Sequence, residues 1–124
     1  MWEMEVERLQ IINLSNERIL AEEVETAYSF FKRLKGLMFT DQLSSGCAIH
    51  IKPCRSIHSF FMNYPIDVLY VNDDGIIVAL EEGFEPGQVG RRFADAHSVV
   101  ELPVETIQNT NTQVGHKIEL RRGL

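Results

Sequence analysis

The chain has 124 residues, of which 44% are hydrophobic and 24% are charged, and its formal net charge is −6. This size fits one globular domain with a core of its own. The acidic balance argues against nucleic acid and anionic membrane surfaces as partners, because both select basic proteins.

The first ten residues carry three glutamates and no apolar run. We predict that residues 1–10 are weakly ordered and that a single β domain spans 11–124. No stretch resembles a signal peptide or reaches the length of a membrane span, which predicts a cytoplasmic protein. Cys47 and Cys54 are then expected to be reduced thiols. We expect the chain to be a monomer.

Short apolar runs bounded by turn residues predict about seven strands. The strongest turn signal is Asn72-Asp73-Asp74-Gly75, which is typical of a hairpin. The predicted strands are 10–14, 19–24, 47–51, 66–71, 76–80, 96–102 and 116–120.

Two short helices are also predicted. Thr26 is a plausible N-cap for a helix over 27–35 that Gly36 ends. Pro103 suits the first turn of a helix over 103–109. The first helix has an apolar face at helical spacing, formed with the residues after it by Phe30, Phe31, Leu34, Leu37 and Met38.

Many short strands with two short helices predict a mainly-β fold. We expect a small antiparallel barrel or sandwich, closed or partly closed, because one small sheet would leave long apolar edges exposed.

The segment from Cys54 to Tyr70 places an acid, Asp67, in a run that otherwise resembles core. A buried carboxylate is costly unless it is paired or hydrogen-bonded. Asp67 shares one side of its strand with Leu69 and Val71, and Arg33 is its predicted partner. The pair is either structural or the floor of a polar pocket.

We therefore predict a shallow pocket that binds a small ligand or a peptide without chemistry. Its predicted residues are Arg33, His58, Met62 and Asp67.

Two alternatives stay open. An enzyme would use His58 as general base with Asp67 or Cys54 as its partner. A structural or interaction module would show an exposed apolar patch in place of a concavity.

The sequence motifs give little support for a bound cofactor or a metal site. There is no phosphate-binding loop and no dinucleotide fingerprint, so no cofactor is predicted. The side chains of Cys47, His50, Cys54 and His58 are suitable zinc ligands, but their spacing matches no common zinc pattern. We predict no metal site. The short basic pairs, such as Arg91-Arg92, are interpreted as solvated ends of elements.

Several ordered blocks make the chain similar to a known family. The blocks are Arg33-x-x-Gly36-Leu37-Met38-Phe39, Ile57-His58-Ser59-Phe60-Phe61-Met62, Pro65-Ile66-Asp67-Val68-Leu69-Tyr70 and Val100-Glu101-Leu102-Pro103 followed by Gly115. They resemble the bacterial and archaeal family known as domain of unknown function 192, from about Ile11 to Leu120. The resemblance implies a compact, mainly-β fold of barrel or sandwich type, and it implies no activity.

Overall fold

The computed structural model describes residues 8–38 and 40–123. Residues 1–7 of the segment predicted to be weakly ordered lie outside the described residues, and the first strand begins at Leu9. The strands are β1 (Leu9–Asn13), β2 (Arg18–Ala21), β3 (Glu23–Ala27), β4 (Cys47–Ile51), β5 (Ile66–Val71), β6 (Ile77–Phe84), β7 (Ser98–Pro103) and β8 (Ile118–Arg122). The helices are α1 (Phe30–Lys35) and α2 (Thr106–Asn109).

The strands form two sheets. One has three strands in the order β2-β1-β8, and the other has five in the order β3-β4-β7-β5-β6. Paired strands of the described chain are antiparallel except for β3 and β4, which run parallel. The predicted mainly-β fold with two short helices is confirmed, in its sandwich form. The two sheets do not close into a barrel, and the larger one is mixed.

The five-stranded sheet is buried on both faces. Its sandwich face packs Leu69, Val71 and Val100 against residues of the smaller sheet such as Ile11. The opposite face, which we call the loop face, is covered by connecting segments that contribute Leu37, Ile57, Met62 and Ala96. Side chains alternate between the faces along each strand. A polar residue in a central strand is therefore buried on whichever face its position dictates.

The first helix differs from its prediction. Extended strand β3 occupies Glu23–Ala27, so the helix begins only after Ser29, whose hydroxyl oxygen accepts a hydrogen bond of 3.2 Å from the Lys32 amide. Gly36 ends the helix as predicted, with a φ of 48°. None of the residues of α1 is buried, and Leu37, just beyond it, reaches the core instead. Within the described residues no helix is long and apolar enough to cross a membrane.

The second helix also begins later than predicted. Pro103 is the last residue of β7, and α2 starts at Thr106 after Glu105, which has a φ of 78°. The segment over 57–62, which lies between β4 and β5, is a loop that holds one isolated bridge, between His58 and Val89.

The predicted hairpin is confirmed between β5 and β6. The Asn72 side-chain oxygen accepts hydrogen bonds of 2.9 Å from the amides of Asp74 and Ile76. Gly75 has a φ of 81°, and its carbonyl accepts a hydrogen bond of 2.8 Å from the Ile118 amide. The turn therefore ties the larger sheet to β8 of the smaller one.

We expect Gly75→Ala to lower the free energy of unfolding by about 2–3 kcal/mol. A Cβ at this position would lie 2.8 Å from the Ile118 carbonyl oxygen in a backbone conformation that L residues avoid. Gly87→Ala is the control, because Gly87 has a similar φ of 76° with no atom within 4 Å of the added Cβ. It should cost only about 1 kcal/mol. Equal losses in urea unfolding would contradict the close approach to β8.

Candidate functional site

A cavity of about 560 Å³ opens beside the loop face, between α1 and the segment that follows β4. We call it the outer cavity. Phe30, Leu34 and Pro53 give it an apolar wall. Its polar lining consists of Arg33, Cys54, Arg55, Ser56, His58, Arg92 and His97.

The outer cavity is positively charged in an otherwise acidic protein. Three arginines and two histidines line it, and no aspartate or glutamate does. Arg33 Nη1 donates to the Pro53 carbonyl at 3.2 Å, and Arg55 Nε donates to the Ala96 carbonyl at 3.3 Å. Neither these guanidinium groups nor that of Arg92 forms an ion pair with a described residue. Their positive charge is therefore available to a ligand.

A smaller cavity of about 50 Å³ adjoins the outer one and reaches the sheet. We call it the inner chamber. The two cavities share Arg33, Cys54, Ser56 and His58 in their linings. At its base lies Glu101 of β7, which is only 2% exposed. Glu101 is on the loop face because it lies opposite Ile49 of β4 and Val68 of β5.

Two buried polar atoms in the inner chamber have no hydrogen-bond partner among the described residues: Arg33 Nε and Glu101 Oε1. The end of α1 lies close to this carboxyl group, since a Cβ on Gly36 would lie 3.8 Å from Glu101 Oε1. Buried polar groups are almost always hydrogen-bonded in native proteins. The chamber is therefore the place in the described structure where hydrogen-bonding capacity is left unused.

Burial raises the pKa of Glu101 from its ordinary value of 4.5 to about 8. The carboxyl group is therefore mostly protonated at neutral pH and acts as a hydrogen-bond donor as well as an acceptor. Burial also raises the pKa of the Cys54 thiol, which donates to the Ser56 carbonyl at 2.9 Å. A protonated thiol is a weak nucleophile.

The predicted pairing of Arg33 with Asp67 is wrong. Asp67 is 1% exposed and lies on the sandwich face, whereas Arg33 faces the inner chamber on the loop face. The Asp67 carboxylate accepts hydrogen bonds from the amides of Gly83, at 3.0 Å, and Ile107, at 2.9 Å. Backbone amides of β6 and α2 thus stabilise the Asp67 carboxylate, a role that we predicted for the Arg33 side chain.

Of the four predicted site residues, the structure brings together Arg33 and His58. Met62 is 8% exposed and packs in the core of the loop face, outside the linings of both cavities. Asp67 lies on the other side of the sheet. Arg33 and His58 therefore line the same two cavities, and the acid in the smaller one is Glu101, not Asp67.

His58 does not have the partners that the enzyme hypothesis requires. Its Nδ1 accepts a hydrogen bond of 3.2 Å from the Phe60 amide, and its ring stacks on the Phe60 ring with centroids 5.3 Å apart. Asp67 cannot reach it through the sheet, and the Cys54 thiol donates to a backbone carbonyl. The arrangement of Cys54, His58 and Asp67 considered from the sequence is not formed.

The four side chains considered as zinc ligands have different partners in the structure. Within 8–38 and 40–123, no group of three His, Cys, Asp or Glu residues is placed to hold a metal ion. Cys47 is hydrogen-bonded to the Glu23 carboxylate, and His50 is hydrogen-bonded to the Tyr28 hydroxyl. Cys54 donates to the Ser56 carbonyl, and His58 accepts from the Phe60 amide.

Sequence reasoning missed Glu101, Arg55 and Arg92, and it interpreted His97 as a satisfied surface or core histidine. For Glu101 a signal was present, because an acid flanked by Val100 and Leu102 is as unusual as Asp67 in its run. For the arginines there was no comparable signal. Arg92 belongs to a basic pair that, like most such pairs, was interpreted as solvated, and only the fold brings it to the cavity of Arg33.

The fold and the cavity define a sandwich-like β domain with a basic pocket over a buried acid. The chain belongs to the DUF192 family, described as uncharacterized ACR, whose model matches residues 11–120. The suspected family is therefore confirmed.

Two relatives are uncharacterised archaeal proteins. A UPF0127 protein of Thermococcus sibiricus is 30% identical over 114 residues, covering 88% of this chain and 73% of the relative. A UPF0127 protein of Pyrococcus furiosus is 28% identical over 115 residues, covering 90% of this chain and 98% of the relative. A crystal structure of a protein of unknown function from Novosphingobium aromaticivorans is similar with a TM-score of 0.77. It is 17% identical, with 90% of this chain and 83% of that chain covered, and so it bears on the fold alone.

We expect Asp67→Asn to lower the free energy of unfolding by about 1–3 kcal/mol, because one of two backbone amides loses its acceptor inside the protein. Asp74→Asn, the same change at an exposed turn position, should have an effect within about 0.5 kcal/mol. Urea unfolding of both variants measures this. Unchanged stability of Asp67→Asn would contradict the structural role of Asp67.

The third stability prediction concerns the dependence of stability on pH. Between about pH 5 and 8 the unfolded chain has lost the Glu101 proton while the folded chain retains it. The free energy of unfolding of the natural chain should therefore fall with rising pH relative to Glu101→Gln. We expect the difference to change by about 1.4 kcal/mol per pH unit in this window. Parallel pH profiles of the two proteins in urea unfolding would show that Glu101 is ionised at neutral pH.

Proposed function

We propose that this protein binds a small ligand that combines an anionic group with an apolar part. The observation that carries the proposal is the lining of the outer cavity, where three arginines converge without an ion-pair partner among the described residues in a chain of net charge −6. Of the two histidines beside them, His97 already has a carboxylate partner, with its Nδ1 3.0 Å from an Asp73 oxygen. An unbalanced cluster of guanidinium groups is a general means of recognising carboxylate or phosphate.

The size and the apolar wall of the outer cavity support a small organic anion. Its volume of about 560 Å³ lies within the usual range for small-molecule sites. Phe30, Leu34 and Pro53 offer an apolar surface beside the basic groups. A bare inorganic ion would leave this surface without a contact. A hydrocarbon or aromatic group attached to the anion would cover it.

A second candidate is an interaction module. It is favoured by the exposure of α1, in which Phe30 is 66%, Phe31 79% and Leu34 55% exposed. Because Phe30 and Leu34 also line the outer cavity, a partner seated on this helix would cover the cavity mouth. The two candidates differ in whether an isolated small anion binds saturably.

A cytoplasmic location and a monomeric state belong to the proposal as well. The location is supported by two free cysteines, Cys47 and Cys54. Reducing compartments keep such thiols unpaired.

The test is an NMR titration with benzoate and phenyl phosphate, with neutral benzyl alcohol as the uncharged control. We expect saturable shifts around Arg33, His58 and Arg92 with at least one anion and none with the alcohol. Arg33→Gln and Arg92→Gln should each weaken binding by about 10-fold or more, because a charge-assisted hydrogen bond contributes about 1.5–3 kcal/mol.

The matched control is Arg18→Gln, which removes the same charge from the exposed start of β2 in the other sheet. It should leave the affinity within about two-fold, the change expected from long-range electrostatics screened by salt. Equal losses in all three variants, or no saturable shift with either anion, would contradict an anion site in the outer cavity.

A further inference from the structure

The inner chamber bears on which anion the protein takes and how it is held. It is about 50 Å³ in volume and opens from the outer cavity past side chains common to both linings. A single water occupies about 30 Å³ in the liquid. The chamber is therefore large enough for a small head group such as a carboxylate, while the rest of a ligand would have to remain in the outer cavity.

Two atoms with unused hydrogen-bonding capacity face this chamber. Arg33 Nε carries an N–H group and is a donor only. Glu101 Oε1 belongs to a side chain that is 2% exposed, and it has no partner among the described residues. A buried polar atom without a partner destabilises the protein, so a ligand that satisfies both atoms removes that destabilisation on binding.

The charge of the surroundings indicates the chemistry of that ligand. With Glu101 protonated, the chamber offers two donors, Arg33 N–H and Glu101 O–H, and the positive charge of Arg33. Two donors require an acceptor, and the positive charge favours an anion over a neutral carbonyl. A cation is disfavoured by Arg33 itself.

We propose that the inner chamber binds the carboxylate head group of the ligand, with one or both carboxylate oxygens accepting hydrogen bonds from Arg33 Nε–H and from the protonated carboxyl group of Glu101. This inference rests on the proposed function and names its substrate class, an organic monocarboxylate. No bond is made or broken. Glu101 is a specificity-determining residue that admits a carboxylate when protonated and repels it when ionised.

Proton-linked binding follows from this arrangement. At a pH where Glu101 is partly ionised, each carboxylate that binds causes uptake of a fraction of a proton by Glu101. The charged and titratable groups that face Glu101 come from three parts of the fold. The helix α1 contributes Arg33 and Lys35, and the loop after β4 contributes Cys54 and His58. Tyr64 lies just before β5, and Tyr70 lies within it.

Burial raises the pKa of Cys54, Tyr64 and Tyr70, which keeps these groups neutral near pH 8. A change in affinity between pH 7 and 9 is therefore assigned to Glu101, whose raised pKa of about 8 falls in the middle of this range.

The experiment measures the affinity of benzoate by NMR titration at pH 7, 8 and 9. The natural chain should bind benzoate about 10-fold more weakly at pH 9 than at pH 7, because the protonated fraction of Glu101 falls by that factor. Glu101→Gln retains a neutral donor at this position and should bind with an affinity that changes less than two-fold over the range. Glu82→Gln, the same change at an exposed position of β6, should keep the natural pH profile.

Four outcomes would overturn the inference. They differ in whether the proposed function also fails. A pH-independent affinity in the natural chain, or an unchanged pH profile in Glu101→Gln, overturns the role of Glu101 and leaves an anion site in the outer cavity standing. Binding of phenyl phosphate but not benzoate overturns the carboxylate assignment and keeps the proposed function. No binding of either anion overturns both.

Discussion

The alternation of side chains along the five-stranded sheet is the constraint on which the structure of this protein depends. It places one buried acid on each face of the sheet. Asp67 of β5 lies on the sandwich face and is satisfied by two backbone amides. Glu101 of β7 lies on the loop face and has an oxygen without a partner. The first acid joins α2 to the sheet through the Ile107 amide and adds a hydrogen bond to β6 through the Gly83 amide. The second acid lies beneath the outer cavity, at the base of the inner chamber.

The two faces of the five-stranded sheet are covered by different kinds of structure. The sandwich face meets another sheet, so its neighbours are mostly apolar and closely packed. The loop face is covered by α1 and by the segment after β4, which together leave a basic cavity and a small chamber beneath it. Concentrating unpaired arginines there in an acidic chain costs electrostatic self-repulsion. Binding of an anion would relieve that repulsion.

Much of the fold could be predicted from local signals. Asn72 to Gly75 predicted the hairpin, Gly36 predicted the end of α1, and the alternation that places Asp67 beside Leu69 was correct. The site was predicted only in part, at Arg33 and His58. Alternation separates the two faces of a strand, but it does not tell which loops cover which face. That long-range arrangement decides that Arg33 and Glu101 line the same chamber and that backbone amides donate to Asp67.

The central claim is that a carboxylate lies between Arg33 and Glu101. Its most direct test is a crystal structure with 4-bromobenzoate, in which anomalous scattering from bromine fixes the orientation of the ligand. We predict the bromine in the outer cavity beside Phe30 and Leu34, and the carboxylate in the inner chamber within hydrogen-bond distance of Arg33 Nε and a Glu101 oxygen. A carboxylate bound only by Arg55 and Arg92 at the cavity mouth, with the inner chamber occupied by water, would contradict the claim.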